Sequence, residues 1–94
     1  MKVVGRKVIE DFWVDHPDAK GRLSAWYAEA EHAVWRTPAD VKQRYPNASV
    51  LSDNRIVFDI GGNRFRLLVR VGYGLQTVVI LKVGTHADYD KWEL

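Results

Sequence analysis

The first half of the chain has a helical period of apolar residues. Four side chains share one helical face, at spacings of three, four and seven residues: Ile9, Phe12, Trp13 and His16. Pro17 ends this helix at His16, because proline disfavours helical backbone in the residue before it. The same period predicts a second helix from about residue 17 to residue 35, with an apolar stripe of Leu23, Trp26, Tyr27, Ala30 and Val34. Two such helices in succession favour a helical hairpin.

Two shorter helices are indicated by hydroxyl-x-x-carboxylate patterns. Thr37-Pro38-Ala39-Asp40 supplies a capping hydroxyl, a proline at the first helical position and a carboxylate at the third. This helix ends at Pro46, which cannot continue it. Thr85-His86-Ala87-Asp88 repeats the pattern near the C-terminus and predicts a short closing helix.

Beyond residue 50 the apolar residues recur with a period of two, which is typical of β-strands. Turns rich in glycine, asparagine and aspartate separate predicted strands at 50–51, 55–60, 64–71 and 76–83. The last of these has apolar residues on both faces, as a central strand does. Lys2–Val4 has the composition of a further short strand. We therefore expect an α+β fold: an N-terminal helical hairpin packed on a four-stranded antiparallel sheet, with a short C-terminal helix.

Composition is that of a small globular protein. The 94 residues suit one domain, 1–94, and 47% apolar with 28% charged residues excludes a disordered chain. The absence of cysteine excludes disulfides and thiolate metal sites and suits a reducing compartment. There is no apolar run long enough to span a bilayer and no signal-peptide core, so we expect a cytoplasmic protein without a membrane partner.

Basic residues concentrate in the strand region. Residues 55–86 contain five Lys or Arg and only one acidic residue, Asp59. On an extended strand, Arg64 and Arg66 stand about 6 to 7 Å apart on one face. They would form a pair of guanidinium forks suited to phosphate, with Arg70 on the same face. Lys82, on the following strand, can add a fourth cation. A solvated face whose arginines pair with acidic neighbours fits the same pattern equally well.

The closing helix carries a second set of chemically capable side chains. His86, Tyr89 and Asp90 are spaced to share one helical face. Imidazole suits proton transfer near neutral pH, and a tyrosine ring can stack on a base. Alternatively, His86 is only a residue of the helix start and Tyr89 only packs on the sheet edge. The spacing of histidines and carboxylates matches no metal site, so we expect none.

Several motifs, in their order along the chain, resemble one toxin family. The two most specific are Gly62-Asn63-x-x-Arg66-Leu67 and Thr85-His86-x-x-Tyr89-Asp90. They are preceded by Trp26-Tyr27, Trp35-Arg36-Thr37-Pro38, Val41, Tyr45-Pro46 and Val57-Phe58. Together they resemble the HigB-type mRNA interferase toxins of the wider RelE/ParE-like superfamily, from about Arg6 to Asp90. Asp59 and Gly61 depart from the family pattern, at turn and rim positions.

The resemblance implies a RelE-like domain and a ribosome-associated endoribonuclease that acts on mRNA. It also implies a small helix-turn-helix antitoxin that silences the toxin, and it leaves the oligomeric state open. Four residues carry over as functional: Asn63, Arg66, His86 and Tyr89. Lys82 is a further candidate, and Arg64 and Arg70 carry over as contacts to the RNA backbone.

The chemistry of the residues agrees with this implication. RNA is cut without a metal or cofactor when its own 2′-hydroxyl attacks the adjacent phosphate. We expect His86 to exchange a proton and Arg66 to stabilise the charged transition state. Tyr89 would stack on or position a base, and Asn63 would orient the scissile nucleotide.

Other functions fit the same residues. A non-catalytic nucleic-acid-binding module would use the basic face alone, and a scaffold subunit would need none of these side chains. A ParE-like toxin that inhibits gyrase is the rival within the superfamily. The histidine and tyrosine of the closing helix favour the nuclease, because gyrase inhibition needs no proton transfer.

Overall fold

The computed structural model describes residues 1–94 as a five-stranded sheet with helices packed on it. The strands are β1 (Lys2–Val4), β2 (Ser49–Val50), β3 (Arg55–Ile60), β4 (Phe65–Gly72) and β5 (Thr77–Thr85), in the spatial order β1-β5-β4-β3-β2. The helices are α1 (Arg6–Asp15), α2 (Lys20–His32), α3 (Pro38–Arg44) and α4 (His86–Tyr89). The predicted α+β class is confirmed, and no helix has the length and hydropathy of a membrane-crossing segment.

The sheet has five strands where four were predicted, because β1 joins it. β1 pairs in parallel with β5, with Val3 opposite Val78, while β2 to β5 form the predicted antiparallel meander. Gly5 allows this addition, since it turns the chain from β1 into α1 with a φ of 97°. A Cβ on Gly5 would lie 2.8 Å from the carbonyl oxygen of Ile80. Strand β5 is therefore paired on both sides, as predicted for a central strand.

The second helix is shorter than the sequence pattern predicted. Pro17–Ala19 forms a 3₁₀ turn before it, and α2 ends at His32 because Ala33 has extended backbone. The chain then turns Trp35 into the core, where it is 4% exposed and stacks on Phe58 at 6.0 Å. Burial of this large aromatic ring outweighs another turn of helix. The short helix predicted after Thr37 is confirmed, with a complete capping box between Thr37 and Asp40.

The main core lies between the helices and one face of the sheet, which we call the first face. It contains 17 buried residues, with Phe58, Leu67 and Val69 among those of the sheet and Ile9, Leu23 and Trp26 among those of the helices. The opposite face, here the second face, carries Val57, Asp59, Arg66, Leu68, Lys82 and Gly84.

A β-bulge in β5 decides which residues reach each face. Leu68 lies opposite Lys82 and Val69 lies opposite Ile80, so Leu81 has no partner on β4. The extra residue reverses the alternation of side chains along the strand. Ile80 therefore points into the core, whereas Lys82 and Gly84 lie on the second face. The run of apolar residues on both sides of this strand arises partly from this irregularity.

The second face is covered as well, whereas the arginine pattern indicated a phosphate-binding face or a solvated one. Val57 is 1% exposed and Leu68 6% exposed. The C-terminal segment, residues 86–94, crosses this face. Trp92 lies over Lys82, with 5.3 Å from Nζ to the ring centroid, and Arg55 donates to the carbonyl oxygen of Leu94 at 3.0 Å. The chain end that follows β5 folds back and closes this side of the sheet.

Candidate functional site

Arg66 is the buried centre of the second face. It lies on β4 between Asp59 of β3 and Gly84 of β5 and is 7% exposed. Its Nε is 3.2 Å from a carboxylate oxygen of Asp59. Its Nη2 donates to the amide oxygen of Asn63, and the Tyr89 ring lies 5.2 Å from the guanidinium carbon. These four residues, Asp59, Asn63, Arg66 and Tyr89, are called the Arg66 cluster below.

The hairpin between β3 and β4 places Asn63 in this cluster. Gly61 and Gly62 have φ angles of 66° and 69°, a backbone conformation that glycine adopts without strain. The turn brings Asn63 back over the start of β4, so that its amide oxygen accepts from the guanidinium three residues later. The predicted turn thus orients the Asn63 side chain toward Arg66.

Tyr89 reaches the cluster because α4 lies directly on Gly84. A Cβ on Gly84 would stand 2.8 Å from the Cβ of Asp88 and 2.9 Å from Cζ2 of Trp92, so only glycine leaves room for the helix. The predicted capping box is present: Asp88 N–H donates to the Thr85 hydroxyl at 3.1 Å, and Thr85 N–H donates to the Asp88 carboxylate at 3.0 Å. The hydrogen bonds from Thr85 lower the pKa of Asp88 below its ordinary value.

His86 begins α4 at the edge of the Arg66 cluster. Its N–H donates to the carbonyl oxygen of Arg64 at 3.0 Å, which joins the helix to the β3–β4 hairpin. Its imidazole is half exposed, and Nε2 lies 3.9 Å from a carboxylate oxygen of Asp90. Of the three residues expected on one helical face, His86 and Asp90 meet each other. Tyr89 contacts Arg66 and Trp92 instead.

Arg64 and Arg66 do not form the predicted pair of forks. Arg64 lies in the turn, one residue before β4, and its backbone does not continue the strand's alternation. Its guanidinium pairs with Asp18 of the helical layer and lies 5.3 Å from the Phe65 ring centroid. An acidic residue 46 positions away in sequence thus draws Arg64 off the second face.

Arg70 and Lys82 share the second face with Arg66 but lie outside its cluster. Arg70 is four residues further along β4, about 13 Å away at the rise of an extended strand. It donates to the carbonyl oxygen of Asp53 at 3.3 Å. Lys82 lies over the Trp92 ring. The basic residues therefore form a spaced row rather than one concentrated patch.

Asp59 is the residue of the cluster that sequence reasoning missed. It was interpreted as a minor departure at the rim, yet it holds the Nε of Arg66. Its sequence signal is that it is the only acidic residue between residues 55 and 86. A lone carboxylate within a basic strand region is a natural partner for a buried guanidinium.

Two small clefts lie at the outer edge of β3, beside Asp59. One, of about 200 Å³, lies between Gly61 and the α2 residues Arg22 and Glu29. The other, of about 250 Å³, is bordered by Tyr45, Asn47, Asp59 and Gly62 and is called the Asn47 cleft. The Tyr45 hydroxyl donates to Glu29 at 2.7 Å, and burial, with this hydrogen bond, raises the pKa of Tyr45 well above its usual value.

The arrangement combines an orienting amide, a held guanidinium, an aromatic ring and an accessible imidazole. A guanidinium stabilises negative charge that develops on phosphate, and an imidazole moves protons. No three histidine, cysteine or acidic side chains lie together in a manner that could hold a metal ion. The chemistry that these residues themselves supply is acid-base and electrostatic.

Comparison with known proteins identifies the family. Residues 19–92 match the family described as HigB_toxin, RelE-like toxic component of a toxin-antitoxin system. The mRNA interferase toxin HigB of Escherichia coli strain K12 is 27% identical over 92 residues, which cover 96% of this chain and 88% of the relative. The mRNA interferase HigB of Shigella flexneri has the same identity and coverage. That of Escherichia coli O6:H1 is 22% identical over 93 residues, covering 97% and 90%. Since the family match spans most of the chain, the protein belongs to the HigB family of RelE-like toxins of toxin-antitoxin systems.

Proposed function

We propose that this chain, as one RelE-like domain of residues 1–94, is the toxin of a toxin-antitoxin pair and cleaves mRNA as an endoribonuclease. Membership of the HigB family implies a cognate antitoxin, and the relatives named above are mRNA interferases. The observation that carries the proposal is the Arg66 cluster, with a half-exposed imidazole at its edge. A cytoplasmic location, a helix-turn-helix antitoxin and translating ribosomes as the place of cleavage belong to the same proposal.

The proposed reaction is transesterification within the RNA. The 2′-oxygen attacks the adjacent phosphorus, the bond to the 5′-oxygen breaks, and the products carry a 2′,3′-cyclic phosphate and a 5′-hydroxyl. The 2′-hydroxyl loses a proton and the leaving oxygen gains one. His86 exchanges a proton in this sequence, since it is the imidazole beside the cluster. Arg66 stabilises the charge that builds on the phosphate.

The hydrogen bonds of Arg66 indicate how a phosphate would reach it. Asp59 engages Nε and Phe65 O accepts from Nη1 at 3.4 Å, whereas Nη2 is held by the side chain of Asn63 in a surface turn. We propose that a phosphate oxygen takes the place of the Asn63 amide on Nη2. Asn63 then becomes free to bind the scissile nucleotide, and Tyr89 stacks on or positions a base.

The remaining basic residues would guide the RNA backbone. Arg70 and Lys82 lie on the second face, and Arg64 lies at the hairpin beside His86. Each backbone contact neutralises a phosphate and releases counterions, so binding should weaken as salt rises. If Arg64 left its ion pair with Asp18 and bound a phosphate instead, its charge would face the substrate.

The experiment that tests the proposal is cleavage of translated mRNA by the purified chain, with mapping of the fragment ends. Wild type should leave fragments with 5′-hydroxyl ends. Arg66→Ala should lower the cleavage rate about 100- to 1,000-fold, because a guanidinium stabilises the transition state. Arg36→Ala removes an exposed arginine outside the cluster and should cleave at the wild-type rate. A folded Arg66→Ala protein with full activity would contradict the role given to Arg66.

His86 has its own matched control. His86→Gln should slow cleavage about 100-fold or more, because the proton-transfer group is lost. His32, which is exposed on α2 and bonds to Ala28 O at 2.8 Å, has no place in the site. His32→Gln should therefore leave the rate unchanged. Equal rates for both glutamine variants would remove His86 from the reaction.

A further inference from the structure

The Asn47 cleft exists because β2 is too short to cover β3. Ser49 and Val50 pair with Val57 and Ile56, and continuation of this register would place Asn47 opposite Asp59. The chain turns away instead, with Ala48 N–H donating to Tyr45 O at 3.0 Å. The outer edge of β3 beside Asp59 is left without a neighbouring strand, and a cleft of about 250 Å³ takes its place.

The walls of the cleft are held by hydrogen bonds. Lys42 Nζ donates to the carbonyl oxygens of Pro46 and Ala48, at 2.6 and 2.8 Å. Tyr45 is fixed to Glu29 through its hydroxyl. A loop clamped at both ends does not need to be ordered when a ligand binds, which lowers the entropic cost of binding.

The cleft borders the Arg66 cluster directly. Asp59 lines the cleft and also holds Arg66, with one carboxylate oxygen 3.2 Å from Nε. Its other oxygen makes no hydrogen bond within the protein. Gly62 lines the cleft and precedes Asn63, which contacts Arg66. A nucleotide next to a phosphate at Arg66 is therefore within reach of the cleft.

The unpaired polar groups of the cleft suit a nucleobase rather than a phosphate, because Arg44, which also lines the cleft, is paired with Glu29. A free carboxylate oxygen of Asp59 repels phosphate but accepts from an amino group on a base edge. The Asn47 amide is exposed, forms no hydrogen bond within the protein and offers both a donor and an acceptor. Tyr45 adds an aromatic ring, and single-stranded RNA is recognised through base edges and aromatic contacts of this kind.

We propose that the Asn47 cleft binds a base of the RNA that carries an exocyclic amino group, on a nucleotide that flanks the scissile phosphate. Asp59 accepts from the amino group and Asn47 contacts the rest of the base edge. Adenine, cytosine and guanine carry such a group and uracil does not. The flanking position rests on the proposed nuclease function, whereas base binding itself does not. Because Asp59 also holds Arg66, an occupied cleft fixes the carboxylate that orients the guanidinium.

Titration of the isotope-labelled full chain with AMP, CMP, GMP and UMP, followed by amide NMR signals, tests base binding without any cleavage. The signals of Asn47, Asp59 and Gly62 should shift with the first three nucleotides. UMP should bind about tenfold more weakly at these positions, as expected for one lost hydrogen bond to a charged group. Equal binding of UMP, or shifts confined to Arg66 and Tyr89, would overturn the proposal.

Two variants sharpen the titration. Asn47→Ala should weaken binding at the cleft several-fold, and Asp59→Asn should abolish the preference over UMP. Gln43→Ala removes an exposed amide from α3 outside the cleft and should bind as wild type does. If Asp59→Asn fails to fold because Arg66 loses its partner, Asn47→Ala and Gln43→Ala still decide the outcome. Equal affinities of these two variants would contradict the role of Asn47.

Mapping of cleavage sites separates this proposal from the nuclease itself. Asn47→Ala should cut RNA with a weaker base preference at one flanking position, while Gln43→Ala keeps the wild-type preference. Nucleotide shifts at the cleft in a chain that cuts no RNA would refute the nuclease and leave the base site standing. Active cleavage with an unchanged base preference in Asn47→Ala would refute the flanking base site and leave the nuclease standing.

Discussion

The two faces of the sheet belong to the same strands but are held by different interactions. The first face is packed by helices through aliphatic and aromatic contacts such as Trp35 on Phe58. The second face is closed by nine C-terminal residues, 86–94, through aromatic rings beside Arg66 and Lys82 and a hydrogen bond from Arg55. Hydrophobic burial makes the first face the main source of stability. The second face, with a lighter and more polar cover, can place charged groups where a substrate would meet them.

Two adjacent leucines on β4 allow the contributions of the two faces to stability to be compared directly. Leu67 is fully buried on the first face and Leu68 is 6% exposed on the second. We expect Leu67→Ala to lower the free energy of unfolding by about 4 kcal/mol and Leu68→Ala by about 2 kcal/mol, because the C-terminal segment can settle into the space that Leu68 leaves. Denaturant unfolding of both variants gives the two values. A larger loss for Leu68→Ala would reverse the ranking of the faces.

A substitution at Gly84 is expected to have a smaller effect on stability, and it acts only on the second face. Gly84→Ala forces α4 outward, since the new Cβ would stand within 3 Å of Asp88 and Trp92. We expect a stability loss of about 1 to 3 kcal/mol and a larger relative loss of RNA cleavage, because His86 and Tyr89 move with the helix. A Cβ on Gly21 of α2 would meet no atom within 4 Å, so Gly21→Ala should add up to about 1 kcal/mol and keep full activity. Equal activity of the two alanine variants would show that the position of α4 does not matter.

The smallest expected effect is a pH dependence of the order of α4, in the C-terminal segment that covers the second face. The pKa of Asp88 is lowered by its hydrogen bonds with Thr85. At pH values above 3.8, the ordinary pKa of an aspartate, the charged carboxylate therefore stabilises α4 in full. This contribution is lost as pH falls through the lowered value. Amide NMR signals of α4 should therefore report loosening in strong acid, and Asp88→Asn should loosen the helix already at neutral pH.

The capping box of α3 supplies the control for this measurement. Asp40 occupies the position in α3 that Asp88 occupies in α4. Asp40→Asn should loosen α3 and leave the signals of His86 and Tyr89 unchanged. If Asp88→Asn leaves α4 as ordered as it is in the wild type, the capping box does not hold the C-terminal segment in place.

Local patterns predicted much of the fold from the sequence. The capping boxes at Thr37 and Thr85, the meander and the glycine turn at 61–62 each depend on a few neighbouring residues, and all are present. The parallel addition of β1 was missed, because pairing with β5 joins residues more than 70 positions apart. Such long-range pairing leaves no local period to read.

The candidate site was predicted less completely for the same physical reason. The motif resemblance named Asn63, Arg66, His86 and Tyr89 as functional, and Asn63 and Tyr89 contact Arg66 in the structure, while their roles stay predictions. Arg64 was misplaced, because its orientation depends on Asp18 of the helical layer. Asp59 was passed over, because its importance arises only when β3 and β4 pair and set it beside Arg66. Partners that tertiary structure selects cannot be read from strand alternation alone.

The unpaired Leu81 is the one residue at the end of β5 that the pairing with β4 does not require. Removal of Leu81 would join Ile80 directly to Lys82, with Ile80 still toward the helices and Lys82 and Gly84 still on the second face. We therefore expect this chain to tolerate exchange or loss of Leu81 better than loss of a residue of β5 that pairs with β4.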